Sequence, residues 1–427
     1  MAGGGLTCAC LLSLGCWTQP RPGGGACPEG VECSAEREVA DAAERHVEGE
    51  GAPAAAAVDG RPWRRGGPGS PTPLDIDGPE AAPEVLWEAP LGAVITGAPT
   101  FAAVDDGATA AFVGTHAGRF VGVVVEGPRA GAIAVDVNVP GMIWGTAARA
   151  SDGALIFGAD NDMIYAVDPR AGAITWSQRL GACDPPRALG PEGTRCDPDG
   201  GPTIAADGDI FVGADGVYRL DPRGALRWHY PAADIDPRPR HVGAAPLVTL
   251  DGGVVVGGQD GAVIALDREG GLRWRVELGP DVDAAPVMLK SGLVVAAADD
   301  GRVVAIEPSG ETRWTFTAGK DVRAPLALGA DDTIYAAGFD GLLYALRPDG
   351  ALRWSFTAGA AIASAPVVDA AGRVYFGARD DFIYAVDRRG RLQWRVELPE
   401  DVDAGLAISD GGVVVVGGDD GVLRALR

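Results

Sequence analysis

Histidine and asparagine are nearly missing from this sequence: His46, His116, His229 and His241, with Asn138 and Asn161, are all it has among 427 residues. No nucleophile elbow, phosphate-binding loop, zinc-ligand spacing or catalytic triad can be read in it. Gly3–Gly5 and Gly23–Gly25 are low-complexity runs, because no strand–loop–helix surrounds them. Aromatics are sparse, with 10 Phe and 7 Tyr beside abundant Val, Ala and Gly, so the core must be built mainly of small and β-branched side chains. Positive charge is also short: 36 Lys and Arg face 59 Asp and Glu, a net charge of -23. That balance disfavours nucleic acid and anionic lipid as partners, although a single-sign excess is also an ordinary solvated surface. No segment sustains helical spacing of apolar residues across the second half of the chain, which excludes a helical bundle there.

What is present is a repeat. Ala166-Val-Asp-Pro-Arg-Ala-Gly-Ala-Ile-Thr-Trp176 reads as a strand, a tight turn and a second strand carrying a tryptophan. The pattern returns ahead of Trp228, Trp274, Trp314, Trp354 and Trp394, the last four spaced by 40 residues. Val135 holds the tryptophan place in a degenerate copy, and Trp87 stands alone before the first full unit. A fixed period near 40 marks a repeat architecture and overrides any domain count taken from length. Each unit has four short apolar runs bounded by Gly, Asp or Pro, as in 285–288, 293–296, 303–306 and 313–316. Eight such units predict an all-β chain, an eight-bladed β-propeller of four-stranded antiparallel blades. The last unit stops before its own tryptophan strand, so the strand near Trp87 is expected to close the last blade and leave no open edge. The tryptophans Trp87, Trp176, Trp228, Trp274, Trp314, Trp354 and Trp394 are expected to wedge between neighbouring blades rather than to stack a cofactor. Gly172, Gly224, Gly310, Gly350 and Gly390 sit where the third-to-fourth turn requires positive φ.

The motif Ala166-x-Asp168-x-x-x-Gly172-x-x-x-Trp176 resembles the tryptophan docking motif of the PQQ-like (quinoprotein-type) repeat, with Ala171 in place of the usual threonine. The resemblance covers residues 84–427. One branch of that family is the quinoprotein dehydrogenases, which implies PQQ, calcium held by Glu and Asn, a catalytic Asp and a disulfide of adjacent cysteines. None of these can be carried onto positions of this chain: the repeat array has no adjacent cysteines and only two asparagines. The other branch is non-catalytic propellers similar to the outer-membrane assembly lipoprotein BamB, which implies export, a lipid anchor and protein partners. The expectation is therefore a non-catalytic, monomeric binding scaffold for envelope proteins with no cofactor and no catalytic residue. A PQQ- and calcium-dependent oxidoreductase is the alternative. A carbohydrate-active propeller would need aromatics at the channel mouth, where the crossovers offer chiefly Trp144 and Tyr230.

Strand order places the second-to-third turns and the blade-to-blade crossovers on one face, and that face reads strongly acidic, with Asp281, Asp283, Glu400, Asp401 and Asp403 in the crossovers. Asp-Gly turns explain many of the turn aspartates without any function. Asp283, Arg323, Ala363 and Asp403 recur at the mouth of the inner strands, and the first, second and fourth, with Arg240 and His241 in a longer crossover, are the candidate partner-binding residues. The Cys183–Cys196 crossover breaks the symmetry further. A disulfide there would stabilise by about 3 kcal/mol, two free thiols being the other reading, and a metal site at Asp184, Asp197 and Asp199 competes with a plain acidic loop.

The chain ahead of the array reads in two parts. Residues 1–16 carry an apolar run of signal-sequence length, 6–16, too short to cross a bilayer. Leu12-Ser-Leu-Gly-Cys16 resembles a lipoprotein cleavage site, with Cys16 the residue to be lipidated and Ser13 standing where leucine is usual. Residues 17–83 are rich in Pro, Gly, Ala and Glu and read as a disordered tether. Cys27 and Cys33 suggest a second disulfide in an oxidising compartment. The expected location is periplasmic or outer-membrane-anchored.

Overall fold

In the computed structural model, residues 74–181, 197–231 and 241–427 are described, and they form eight four-stranded antiparallel sheets arranged as the blades of a propeller. Cys16, Cys183, Asp184, Cys196 and Arg240 lie outside the described residues. Blades 1 to 7 span residues 100–138, 148–179, 203–231, 247–277, 287–317, 327–357 and 367–397. Blade 8 takes three strands from 406–426 and its fourth from Val85–Pro90, which pairs antiparallel with Val422–Leu426. No helix occurs among the described residues, and none is long and apolar enough to cross a membrane.

Burial follows position in the blade. First strands are short and several touch the first strand of a neighbouring blade, as Ala327–Leu328 does Val367–Val368. Second and third strands such as Leu155–Ala159 and Gly216–Leu220 are buried on both faces, so they read as continuous apolar runs. Fourth strands such as Thr312–Thr317 alternate exposed and half-buried residues, as an outer edge should. The core is consequently a set of slabs between blades: Val295, Val303 and Ala305 of blade 5 pack with Ile334, Ala336 and Tyr344 of blade 6.

The repeat motif has a physical basis in those slabs. Five of the tryptophans lie opposite an alanine of the third strand: Trp176 on Ala166, Trp274 on Ala265, Trp314 on Ala305, Trp354 on Ala345 and Trp394 on Ala385. A register shift then turns the strand just before it, between Ala305 and Ile306 in blade 5. The indole crosses to the next blade, where its N–H donates to a turn carbonyl: Trp274 to Pro308 at 3.1 Å, Trp314 to Pro348 at 2.9 Å and Trp354 to Arg388 at 3.0 Å. The turn glycine lies against the ring. A Cβ on Gly310 would sit 2.7 Å from the Trp274 Cβ, and its φ of +90° disfavours any side chain as well.

Blade 8 has no third-to-fourth turn, because its fourth strand comes from the other end of the chain. Residues 74–80 occupy that place against blade 7. The Leu74 amide donates to the Val368 carbonyl, and Arg373 reaches the Gly78 carbonyl and the Glu80 carboxylate.

Candidate functional site

The crossovers enter the first strands at the propeller axis, and there the chain is small: Ala98, Gly145, Gly200, Ala245 and Ala365 leave a cavity of about 180 Å³. Its remaining wall is polar and aromatic, with Asp199, Asp283, Asp403, Trp144, Thr96 and Thr146. Each crossover is fixed by backbone bonds to the second-to-third turn of its own blade. Asp299 N donates to Asp281 O at 2.9 Å, Phe339 N to Asp321 O at 2.9 Å, Arg379 N to Ala361 O at 2.9 Å and Asp419 N to Asp401 O at 3.2 Å. These bonds hold the side chains of 299, 339, 379 and 419 at the rim.

Across the rim, a turn residue of one blade meets a crossover residue of the next, and the chemistry differs at every junction. His116 packs tilted against Trp144 with ring centroids 3.9 Å apart. Gln259 donates to Asp283 at 3.4 Å. Asp299 accepts from Arg323 at 2.9 Å. Arg379 grips Asp403 through two nitrogens, at 2.9 and 2.7 Å. The half-buried Phe339 ring lies between the guanidinium groups of Arg323 and Arg379, at 5.6 and 5.2 Å.

Negative charge is crowded here. Burial, with the charge of Asp283 next, pushes the Asp299 carboxyl up to about 7 against the pull of Arg323. Burial and the charges of Asp403 and Asp401 push Asp419 up to about 6. Asp401 is raised for the same reasons, burial first. Burial lowers His116, with the Asp160 charge opposing.

Of the candidate residues, Asp283 and Asp403 face one cavity, whereas Arg323 is committed to Asp299 and to Asp321 at 3.2 Å, and Pro325 stands in the wall for its blade. His241 is buried, its Nε2 2.6 Å from the Asp197 carbonyl oxygen and 3.7 Å from Asp199. It ties one crossover to the preceding one. Asp197 and Asp199 converge with Asp160, and Asp281 and Asp283 with Asp299, each set having carboxylate oxygens within 4.8 Å of one another. Tyr230 lies in the outer strand Leu226–Pro231. Sequence reasoning passed over His116, Thr96 and Phe339. The signal was available in the second series 299, 339, 379 and 419, which has the same 40-residue spacing as the tryptophans.

A model described as outer membrane protein assembly factor BamB matches residues 81–281, 213–307 and 299–427. The chain belongs to that family of PQQ-like repeat propellers. No curated protein matches it. Among solved structures, BamB from Moraxella catarrhalis superposes with a TM-score of 0.62 at 19% identity, covering 81% of this chain and 99% of that one. A europium-containing methanol dehydrogenase gives 0.65 at 13% identity, covering 79% and 85%, and the quinohemoprotein alcohol dehydrogenase from Comamonas testosteroni gives 0.65 at 13%, covering 83% and 78%. At these identities the likeness to the three structures is one of fold.

The dehydrogenase branch implies PQQ, a planar tricarboxylate, and the cavity does not fit it. The volume of about 180 Å³ falls below the roughly 300–1,000 Å³ of organic ligand sites. The nearby Arg323 and Arg379, which could meet the carboxylates of PQQ, are engaged by Asp299 and Asp403.

Proposed function

We propose that this protein is a non-catalytic binding scaffold of the cell envelope, and that its partners dock on the crossover face of the propeller. The observation that supports it is the crowding of carboxylates at the rim, which adds to burial, the larger cause, in raising Asp299 to about 7 and Asp419 to about 6. Such a rim attracts basic or extended segments of a partner and repels acidic ones. The crossovers carrying it are pinned by repeated backbone bonds, so the surface needs little ordering when a partner arrives. Membership of the BamB family agrees with protein partners and an envelope location. The oxidoreductase alternative finds no support in the wall chemistry of the cavity.

Site-specific photocrosslinking of the full chain in its own envelope tests this reading. A crosslinker at Phe339 or Ala361, on the crossover face, should capture defined partners. One at Ser309, in the third-to-fourth turn on the opposite face, should not. Capture from Ser309 alone, or from neither face, would sink the proposal.

A further inference from the structure

We infer that the axial cavity is a receptor for one cationic head group, the guanidinium or ammonium of a basic side chain carried on an extended partner segment. The inference rests on the scaffold reading above and says what the partner brings to that face.

Three features of the cavity point to a cation of organic size. Asp199, Asp283 and Asp403 each come from a different crossover and face the same space. They are not drawn into one tight triad. The sets close enough to share an ion are Asp160 with Asp197 and Asp199, and Asp281 with Asp283 and Asp299. Carboxylates spread around a cavity suit a forked guanidinium or a rotating ammonium better than a metal needing oxygens at about 2.3–2.6 Å. The indole of Trp144 is in the same wall, held by its N–H on Asp160 at 2.9 Å and by the His116 ring packed against it. An indole face beside carboxylates is a favourable place for a cation. The floor is made of methyl and methylene groups, Ala98, Ala285 and Pro325, which suits the aliphatic stem of lysine or arginine.

A second observation is an acid behind the wall that is only partly compensated. The Asp299 side chain is only 8% exposed, and while its Oδ2 meets Arg323, its Oδ1 is buried with no hydrogen-bond partner. It lies beside Asp283, whose contact with Gln259 is to a neutral amide at 3.4 Å. The Oδ1 of Asp419 is likewise buried without a partner, and the charge of Asp403 acts on that carboxyl. Four carboxylates, Asp283, Asp299, Asp403 and Asp419, thus stand against two guanidinium groups, Arg323 and Arg379, and a cation entering the cavity adds to the smaller side.

Calorimetric titration of the full chain with a capped pentapeptide, Ala-Ala-Arg-Ala-Ala, against its citrulline isostere tests the proposal. The arginine peptide should bind, and the neutral isostere should bind at least about tenfold more weakly. Asp283→Asn and Trp144→Leu, each first shown to be folded by a cooperative thermal melt, should weaken the arginine peptide by about three- to tenfold. Equal binding of the two peptides, indifference to Asp283→Asn, or no binding up to about 1 mM would overturn it. Two further arms, calcium chloride at matched ionic strength and spermidine, separate the other sources of positive charge. Asp283-dependent binding of either one without binding of the arginine peptide also overturns the proposal. If Phe339 still crosslinks the same partner in Asp283→Asn, and excess arginine peptide does not compete, the cavity proposal fails while the docking face survives.

Discussion

The indole N–H of Trp394 donates to the carbonyl of Pro79, 2.9 Å away and 315 residues earlier in the chain. In blades 5 and 6 the same N–H reaches a turn of the following blade, at Pro348 and Arg388. Blade 8 has no such turn, and the segment ahead of the first strand supplies the acceptor instead. Its neighbours follow suit: Asp369, whose side chain is fully buried, accepts from Gly78 N, Tyr375 Oη and Arg373. Removing residues 74–80 should cost about 2–4 kcal/mol through the lost burial of Leu74 and the stranded polar groups. Urea unfolding checks this as a lower midpoint at unchanged slope.

Two glycines with nearly the same backbone should respond differently to alanine. Gly107 has φ of +81° and open space where a Cβ would go, whereas Gly310 has φ of +90° with Trp274 2.7 Å from that position. Gly107→Ala should cost about 1 kcal/mol, the backbone term alone. Gly310→Ala should cost roughly twice that or more, because the ring must also move. Equal losses in thermal unfolding would mean that the indole has room to shift.

The pH dependence of stability should carry the signature of Asp299. Its carboxyl is raised to about 7, by burial first and by Asp283 next. A raised carboxyl gives its full stabilisation below the ordinary aspartate range and loses it as pH climbs through the folded-state value. Asp299→Asn removes that loss. The variant should therefore gain on the parent between about pH 4 and pH 8, by on the order of 2 kcal/mol. Unfolding midpoints across that window check it, and a difference that stays constant with pH would refute it.

Blade 3 departs from the repeat in placing Arg219, not a small residue, opposite Trp228. That guanidinium is 7% exposed and bonds Asp209, itself 4% exposed, and Asp207. Asp209→Ala should cost about 3–5 kcal/mol, since it leaves a buried cation underpaired. Replacing Arg219 by methionine and Asp209 by leucine together should recover much of the loss, and denaturant melts of the single and double variants test the pair.

The fold was legible because one constraint was repeated many times. A tryptophan, a glycine and a small residue recur along the chain, and Ala166, Gly172 and Trp176 display the three residue types in eleven residues, with the glycine of each turn lying in the path of the preceding blade, as Gly224 does against Trp176. The site was less legible because each junction at the axis is filled differently. Asp283 and Asp403 could be placed by counting from the tryptophans. The engagement of Arg323 with Asp299 could not, because it joins a turn of one blade to the crossover of the next; its 24-residue separation is shared by Gln259–Asp283 and Arg379–Asp403 but does not say which side chains meet there. His241 was visible as part of a basic cluster, yet its ring is buried between crossovers and meets a backbone carbonyl. Burial of that kind depends on the chain 44 residues away.

The strand Val85–Pro90 lies beside the last strand of the chain, with Glu88 bonded to Arg424 across 336 residues of sequence. During synthesis the first strand among the described residues is therefore the last of them to find its partner. Until Val422–Leu426 emerges, blade 8 is missing, both ends of the growing ring are unpaired, and Leu86 and Trp87 stand on a bare edge open to any passing strand. Completion is an all-or-none event tied to the final residues, so a nascent or truncated chain is an aggregation hazard in a way the finished ring is not.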